Sequence, residues 1–420
     1  AARVAQISRG EPPFHEPGLA ELLRAGIAAA RLRATADTRA AVAMSAATLI
    51  AVGTPDADGQ IDLGQVAAAA RAIGAALRAH AGYHVVAVKS TVVPGTTDTL
   101  VRRALEEASG RHVGVDLGLC VNPEFLREGA AVSDFVQPDR IVIGQWDEMS
   151  GRTLAELYAG FDCPKLFTTL RNAEMIKYAS NALLATLISF SNELAALCEA
   201  APGSDVETVM DGVHLDRRLT PVVEGRPVRP GILDYLRGGC GFGGSCLPKD
   251  LSALRTFARA QAVPTPLLDA VLAVNAARAD ALVDLAERGV GALAGRAVAV
   301  LGLAFKPGTD DLRDSPSLAV VDRLRARGAV VRTYDPLVSA AALPFDGAVA
   351  VCSCGADALA GADAAVIATA WPEFALWDWR ALSRTMRRPV VIDGRGALRG
   401  VALPPEVVYL PLGRGAGETP

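Results

Sequence analysis

The sequence is poor in the residues that build metal sites and disulfide frameworks. It has seven cysteines and five histidines in 420 residues, thinly spread. An odd, scattered set of cysteines is not a disulfide framework. Cys352-Ser353-Cys354 is too tight for the usual zinc knuckle, so no metal site is expected. Reduced thiols and a cytoplasmic protein are the expectation. There is no basic block, and the formal net charge is −4, which argues against a nucleic-acid surface. No uncharged apolar run approaches the ~18 residues of a membrane span, so no membrane is expected. The first residues, Ala1-Ala2-Arg3-Val4-Ala5-Gln6, lack the apolar stretch of a signal peptide.

What is present points to a large globular chain. Hydrophobic residues make up 51% and charged residues 21%, and the length suits two or three domains with real cores. Ala1 to Ile7 reads as a helix, and Gly10 to Gly18 as a turn-rich loop. Apolar runs at Thr48–Val52, Tyr83–Val88, Leu117–Val121 and Arg140–Ile143 alternate with helical patterns over about 63–79 and 96–109. Position 56–59 reads as loop. Short apolar runs between helices predict an open parallel α/β sheet, whose ligands bind beyond the carboxyl ends of the strands. Thr54, Thr91 and Glu124 stand at those ends. From about residue 168 the strands stop. A long helix is expected over 172–200, and Ser204-Asp205-Val206-Glu207 reads as a capping box. Strand–helix alternation resumes at Ala297–Leu301 and continues through Val330–Tyr334, Ala364–Ala368 and Val390–Ile392. The expected fold is therefore α/β: two Rossmann-like doubly wound domains, 1–167 and 286–420, joined by a helical middle domain, 168–285.

The densest glycine stretch lies in that middle part: Gly238-Gly239-Cys240-Gly241-Phe242-Gly243-Gly244-Ser245-Cys246-Leu247-Pro248-Lys249-Asp250. Glycine costs about 0.5–1 kcal/mol in a helix or strand interior, so such a run suits close backbone approach. It delivers Cys246 to the start of a helix, with Pro248 in the first turn. The helix dipole and Lys249 both favour the thiolate there. A buried, inert cysteine in a turn is the plainer reading of such a thiol taken alone. Gly239, Gly241 and Gly244 spell G-x-G-x-x-G, but the segment before them, 232–237, is too short and mixed to be the strand a dinucleotide fingerprint requires.

Other residues admit two readings each. Lys177 and Asn181 are four apart, so they share a helix face; the lysine is a candidate for chemistry or a snorkelling side chain. Glu124 and Glu128 suit acid–base work, or cap a helix they begin. The Gly302 loop with Lys306 suits a phosphate, or is an ordinary strand–helix turn. Arg313, in the charged stretch Asp310 to Pro316, has the fork to hold an anionic ligand, or lies in a solvated loop.

In order along the chain, Val52-Gly53-Thr54-Pro55, Ser90-Thr91-Val92-Val93-Pro94-Gly95-Thr96, Asn122-Pro123-Glu124-Phe125-Leu126-Arg127-Glu128-Gly129, Gly241 to Asp250, and Gly302-Leu303-Ala304-Phe305-Lys306 with Asp310 to Pro316 resemble the successive motifs of the UDP-glucose/GDP-mannose dehydrogenases. The resemblance implies NAD-linked, four-electron oxidation of the C6 alcohol of a nucleotide sugar, with UDP-glucose the leading substrate and UDP-N-acetylhexosamines or GDP-mannose as alternatives. It implies that Cys246 carries thiohemiacetal and thioester intermediates, that Lys177 and Asn181 stabilise the oxyanion, and that Asp250 moves protons. It implies that Glu124 and Thr91 serve thioester hydrolysis. Thr54, Thr91, Glu128, Lys249 and Arg313 match NAD-facing positions; Glu124, Phe125, Leu126, Lys177, Asn181, Tyr235, Gly243 and Lys306 match nucleotide-sugar contacts. A homodimer through the helical middle domain is implied as well.

One departure stands out. The family opens on a βαβ unit with G-x-G-x-x-G, and residues from Ala1 onward resemble only the family's chain beyond that unit. The first domain is therefore expected to be incomplete at its N-terminus and weak in its pyrophosphate site. A redox-inactive nucleotide-sugar-binding protein and a thiol hydrolase are the competing functions, the latter lacking a well-placed histidine base.

Overall fold

The computed structural model describes residues 2–417 except 58 and 346. By packing, the chain divides into two compact units: 1–180 with 252–263, and 181–251 with 264–420.

In the first unit, strand His84–Val88 is buried along its whole length. Val86 and Val88 face one apolar layer with Val66, Ile73, Leu77, Leu105 and Leu117. Val85 and Ala87 face the other, with Ile143 and Leu154. A strand covered on both faces reads as an unbroken apolar run, which is why the sequence reveals it. The sheet order is Ala47–Ile50, His84–Val88, Leu117–Val121, Ile141–Gln145, Lys165–Thr169. Ile141–Gln145 runs antiparallel to Leu117–Val121, so the sheet is mixed and not wholly parallel as expected. An apolar run carries no direction, and the link between these strands holds only the six-residue helix Ala131–Val136. Lys165–Thr169, an unexpected strand, lies at the sheet edge with three of its five residues exposed, so it has no apolar run to betray it. Asp56–Ala57 and Gln60–Ile61 pair as a small hairpin where loop was expected; position 58 lies outside the described residues. The expected first helix is present as Ala2–Ser8, Ala1 lying outside the described residues.

In the second unit, six parallel strands run in the order Ala350–Val351, Val330–Tyr334, Ala297–Leu301, Ala364–Ile367, Val390–Asp393, Val408–Pro411. Numbered along the chain this is 3-2-1-4-5-6, the doubly wound dinucleotide-fold order. Its two outermost strands are short, partly exposed and were not expected. Asp205, not Ser204, caps helix Val206–His214, its carboxylate accepting from the Glu207 N–H at 3.0 Å. The hairpin Val222–Val223/Arg226–Pro227 turns on Glu224 and Gly225, both at positive φ.

Helix Leu170–Ala200, 31 residues long, is by length and composition apolar enough to cross a membrane, though charged residues interrupt it as expected. Yet it buries Glu174, Lys177, Asn181 and Asn192. Each makes polar contacts within the protein, as a packed core helix does.

At the switch point of the second sheet, Gly302 has φ 85°, and a Cβ there would lie 2.4 Å from the Thr369 Cβ. Both strain and contact oppose any side chain. Gly302→Ala should lower stability by about 2–4 kcal/mol. In urea this appears as a lower midpoint with an unchanged slope.

Candidate active site

Two clusters carry the candidate chemistry, one in each unit. In the first unit, the strand ends are stitched together before any functional side chain is placed. The Ser90 hydroxyl donates to the Val52 carbonyl at 2.7 Å, joining the loop of Thr54 to that of Thr91. Thr54 is buried and Thr91 half-buried. The Thr91 loop is pinned to the long helix by Glu174, whose carboxylate accepts the Gly95 and Thr97 N–H groups at 2.6 and 2.9 Å. The Glu16 carboxylate likewise accepts from Gly129 and Ala131, both at 2.8 Å, and fixes the turn after Glu128.

Lys177 is buried and its ammonium lies 2.8 Å from the Glu124 carboxylate, so it does not snorkel. The other Glu124 oxygen accepts the Leu126 N–H at 2.6 Å. Glu124 and Glu128 begin no helix, because the next one starts at Ala131. The Phe125 ring lies under both cations, 4.0 Å from the Arg140 guanidinium and 5.7 Å from the Lys177 ammonium. Leu126 is half-buried in the same loop.

In the second unit, the glycine stretch is held on every side. A 3₁₀ turn, Gly231–Tyr235, precedes it, so the strand of a dinucleotide fingerprint is absent there. This turn carries the half-buried Tyr235. The Asn275 amide brackets Phe242, accepting its N–H at 2.7 Å and donating to its carbonyl at 3.0 Å. Asn192 accepts the Gly239 N–H at 2.7 Å, and Arg278 donates to the Gly239 carbonyl at 3.1 Å. A Cβ on Gly243 would lie 2.2 Å from the Asp314 carbonyl oxygen, and one on Gly244 2.8 Å from the Phe305 ring. The glycines therefore answer first to protein packing.

Helix Leu247–Ala260 comes next, and its first hydrogen bond runs from the Asp250 N–H to the Cys246 carbonyl at 2.9 Å. Cys246 is thus the cap residue, half-buried, at the end of the helix where partial positive charge favours a thiolate. One buried Asp250 oxygen accepts from the Asn181 amide at 2.6 Å; the other binds the Lys249 ammonium. Asp250 is therefore fully engaged by groups able to stabilise or move a proton.

The amides of the Gly302 loop are taken up by the protein itself. The Leu303 and Ala304 N–H groups both donate to Asp335, at 2.7 and 3.1 Å. The Lys306 ammonium lies beside the Phe305 ring, 5.5 Å from its centroid. Arg313 forks onto Asp311 at 2.6 and 2.9 Å. Arg395, absent from the sequence-based candidates, borders Gly239, and its buried Nη2 has no hydrogen-bond partner among the described residues. Its only sequence signal is its place just after strand Val390–Asp393.

Two nucleotide-type α/β sheets with a thiol at a helix start define a nucleotide-dependent oxidoreductase. Models of three UDP-glucose/GDP-mannose dehydrogenase domains match the chain: the NAD binding domain over residues 1–162, the central domain over 171–277 and the UDP binding domain over 299–400. The chain is 42% identical over 398 residues to a UDP-glucose 6-dehydrogenase of Haloferax volcanii, covering 93% of this chain and 88% of that one. It is 40% identical over 336 residues to a GDP-mannose 6-dehydrogenase of Azotobacter vinelandii, covering 80% and 74%. The structure of a UDP-glucose dehydrogenase from Pyrobaculum islandicum superposes with a TM-score of 0.87 at 40% identity, covering 98% of this chain and 90% of that one. The chain belongs to the UDP-glucose/GDP-mannose dehydrogenase family. It is an NAD-dependent nucleotide-sugar 6-dehydrogenase. The NAD-binding match begins at residue 1, and these matches do not bear out the expected lack of a glycine-rich unit.

Burial pushes Glu174 up to about 7, against the two amides that pull it down. Its folded pKa lies above its unfolded one, so the group favours the native state fully below the unfolded value. That contribution is lost as pH rises through about 7. Glu174→Gln should flatten this part of the stability–pH curve, read as thermal midpoints on either side of neutrality.

Proposed function

We propose that this enzyme oxidises UDP-glucose to UDP-glucuronate through covalent intermediates on Cys246. The observation that carries the reading is Cys246 at the start of its helix, one turn from an Asp250 carboxylate already bound to Asn181 and Lys249. The UDP binding domain match and the UDP-glucose 6-dehydrogenases among the relatives support the choice of sugar. The domains proposed are 1–167 for NAD, 168–285 for the middle and thiol, and 286–420 for the nucleotide sugar.

Polar side chains at and beyond the carboxyl ends of parallel strands suit a dinucleotide, and the polar set Thr54, Thr91 and Glu128 fits NAD. Lys249 and Arg313 complete the NAD-facing set. Bound NAD supplies the acceptor for a hydride in each of the two oxidations. The chain's own work is the rest. The alcohol gives its O–H proton to Asp250, and through it to solvent, as its C6 hydrogen leaves as hydride, giving an aldehyde. The Cys246 thiolate adds to that carbonyl carbon, forming a C–S bond and a thiohemiacetal oxyanion. Lys177 and Asn181 donate to that oxyanion. Loss of the second C6 hydrogen leaves a thioester. Water then attacks the thioester carbonyl, the C–S bond breaks, and carboxylate and thiolate result, with Glu124 and Thr91 directing the water and Asp250 taking up protons. Phe125, Leu126, Tyr235, Gly243 and Lys306 hold the nucleotide sugar; Arg395, with its unsatisfied donor, joins them.

A homodimer through the middle domain is part of the proposal. Leu183, Phe190 and Leu197 stand seven residues apart on the long helix, 52%, 50% and 62% exposed. A stripe at that spacing suits a partner helix. The described cysteines form no disulfide, which suits a reducing, cytoplasmic setting.

Wild-type protein should form two NADH per UDP-glucose consumed, and Cys246→Ser should lower glucuronate formation at least about 1,000-fold; unchanged turnover in that variant rejects the covalent route. Phe190→Glu should shift the sedimentation coefficient from dimer to monomer at equal protein concentration.

A further inference from the structure

Lys89 is a charged residue at the end of an apolar strand. It directly follows the fully buried strand His84–Val88. Its ammonium donates to the Asn122 side-chain oxygen at 3.1 Å and to the Asn122 carbonyl at 3.4 Å. Asn122 is itself fixed to both neighbouring strands. Its N–H donates to the Val88 carbonyl at 2.8 Å, and its side-chain NH₂ to the Val142 carbonyl at 2.9 Å. Its side-chain oxygen also accepts the Tyr158 hydroxyl. Two residues on, the chain presents Glu124, one oxygen on Lys177 and the other on the Leu126 amide.

We propose that Lys89 is a positioning residue for Glu124: its ammonium clamps Asn122, the anchor from which the Glu124 loop departs, and sets a second positive charge against the carboxylate that Lys177 binds. The proposal rests on the reading that Glu124 directs water to the thioester.

The energetics separate this role from plain support of the fold. Burial pushes the Lys89 ammonium down to about 8; Glu124 pulls it up and Lys177 pushes it further down. Tyr158 is the remaining titratable group at the clamp, reaching it through Asn122. The folded pKa lies below the unfolded one, so between about 8 and the ordinary lysine value the unfolded chain holds a proton that the native state has lost. Stability therefore rises with pH through that window, and below it the buried charge costs the native state. A charge whose burial costs stability is here held on Asn122 and drawn by the Glu124 carboxylate, which is the basis for giving it a role in the site. The Asn122 side-chain oxygen has the Tyr158 hydroxyl as a second donor beside the lysine.

The experiment is steady-state NADH formation by the full-length protein with UDP-glucose and NAD, from about pH 6 to about pH 10, with thermal midpoints alongside. Lys89→Met should lower kcat about 10- to 100-fold with KM for UDP-glucose within about two-fold, because a misplaced group costs the chemical step more than binding. Its midpoint should equal or exceed the wild type's. Lys89→Arg should recover most of the rate and move the alkaline fall in kcat, near pH 8 in the wild type, to higher pH. Should Lys89→Met not fold, Lys89→Gln, which keeps a donor toward Asn122 without the charge, is read the same way. Glu124→Gln is measured beside them. If Glu124→Gln is slow while Lys89→Met turns over within about two-fold of wild type, the Lys89 proposal is wrong and the reading of Glu124 stands. If Glu124→Gln itself is as fast as wild type, that reading of Glu124 fails, and the role of Lys89 with it.

Discussion

A close backbone approach in the second unit is the constraint on which the thiol depends. At Gly241, Gly243 and Gly244 the chain has no room for a side chain: Asn275, the Asp314 carbonyl and the Phe305 ring fill the space a Cβ would take. Gly244 also donates its N–H to the Arg313 carbonyl at 2.9 Å. A loop so confined has one path, and that path ends with Cys246 at the start of a helix. A thiolate there needs no further cation to be favoured, and a rigid path keeps it where it is.

Carboxylates do the corresponding work at the strand ends. Glu16 and Asp335 each spend carboxylate oxygens on backbone N–H groups of loops far away in sequence. Charged acceptors make stronger hydrogen bonds than neutral ones, so a single acid can hold a loop that has no secondary structure of its own. The Gly302 loop shows the consequence. Asp335 stands at the end of the second strand of a doubly wound sheet, where an acid meets a ribose in dinucleotide folds. Here it binds loop amides and the Trp371 ring N–H instead. Those amides are thereby not free to bind a phosphate.

Much of this was legible in the sequence, for definable reasons. Strands such as His84–Val88 and Ala297–Leu301 are covered on both faces and read as apolar runs. The glycine stretch and Cys246 are legible because so many glycines have no place in a regular element. Lys177 was ambiguous, since a lysine on an apolar helix has the same pattern whether it snorkels or meets Glu124. Strand direction was hidden, because the Ile141–Gln145 run looks alike both ways. Edge strands were hidden by their exposure. Least legible were the anchoring polar residues, Glu16, Asn122, Glu174, Asn192 and Asn275, whose partners are backbone groups that no local spacing predicts.

The proposed chemistry turns on a covalent bond to Cys246. The direct measurement is peptide mass mapping of Glu124→Gln after incubation with UDP-glucose and NAD, a variant in which thioester hydrolysis is slowed. The predicted result is a sugar-nucleotide acyl adduct on the peptide bearing Cys246, removed by hydroxylamine. A slowed variant with an unmodified Cys246, or an adduct on a different residue, would contradict it.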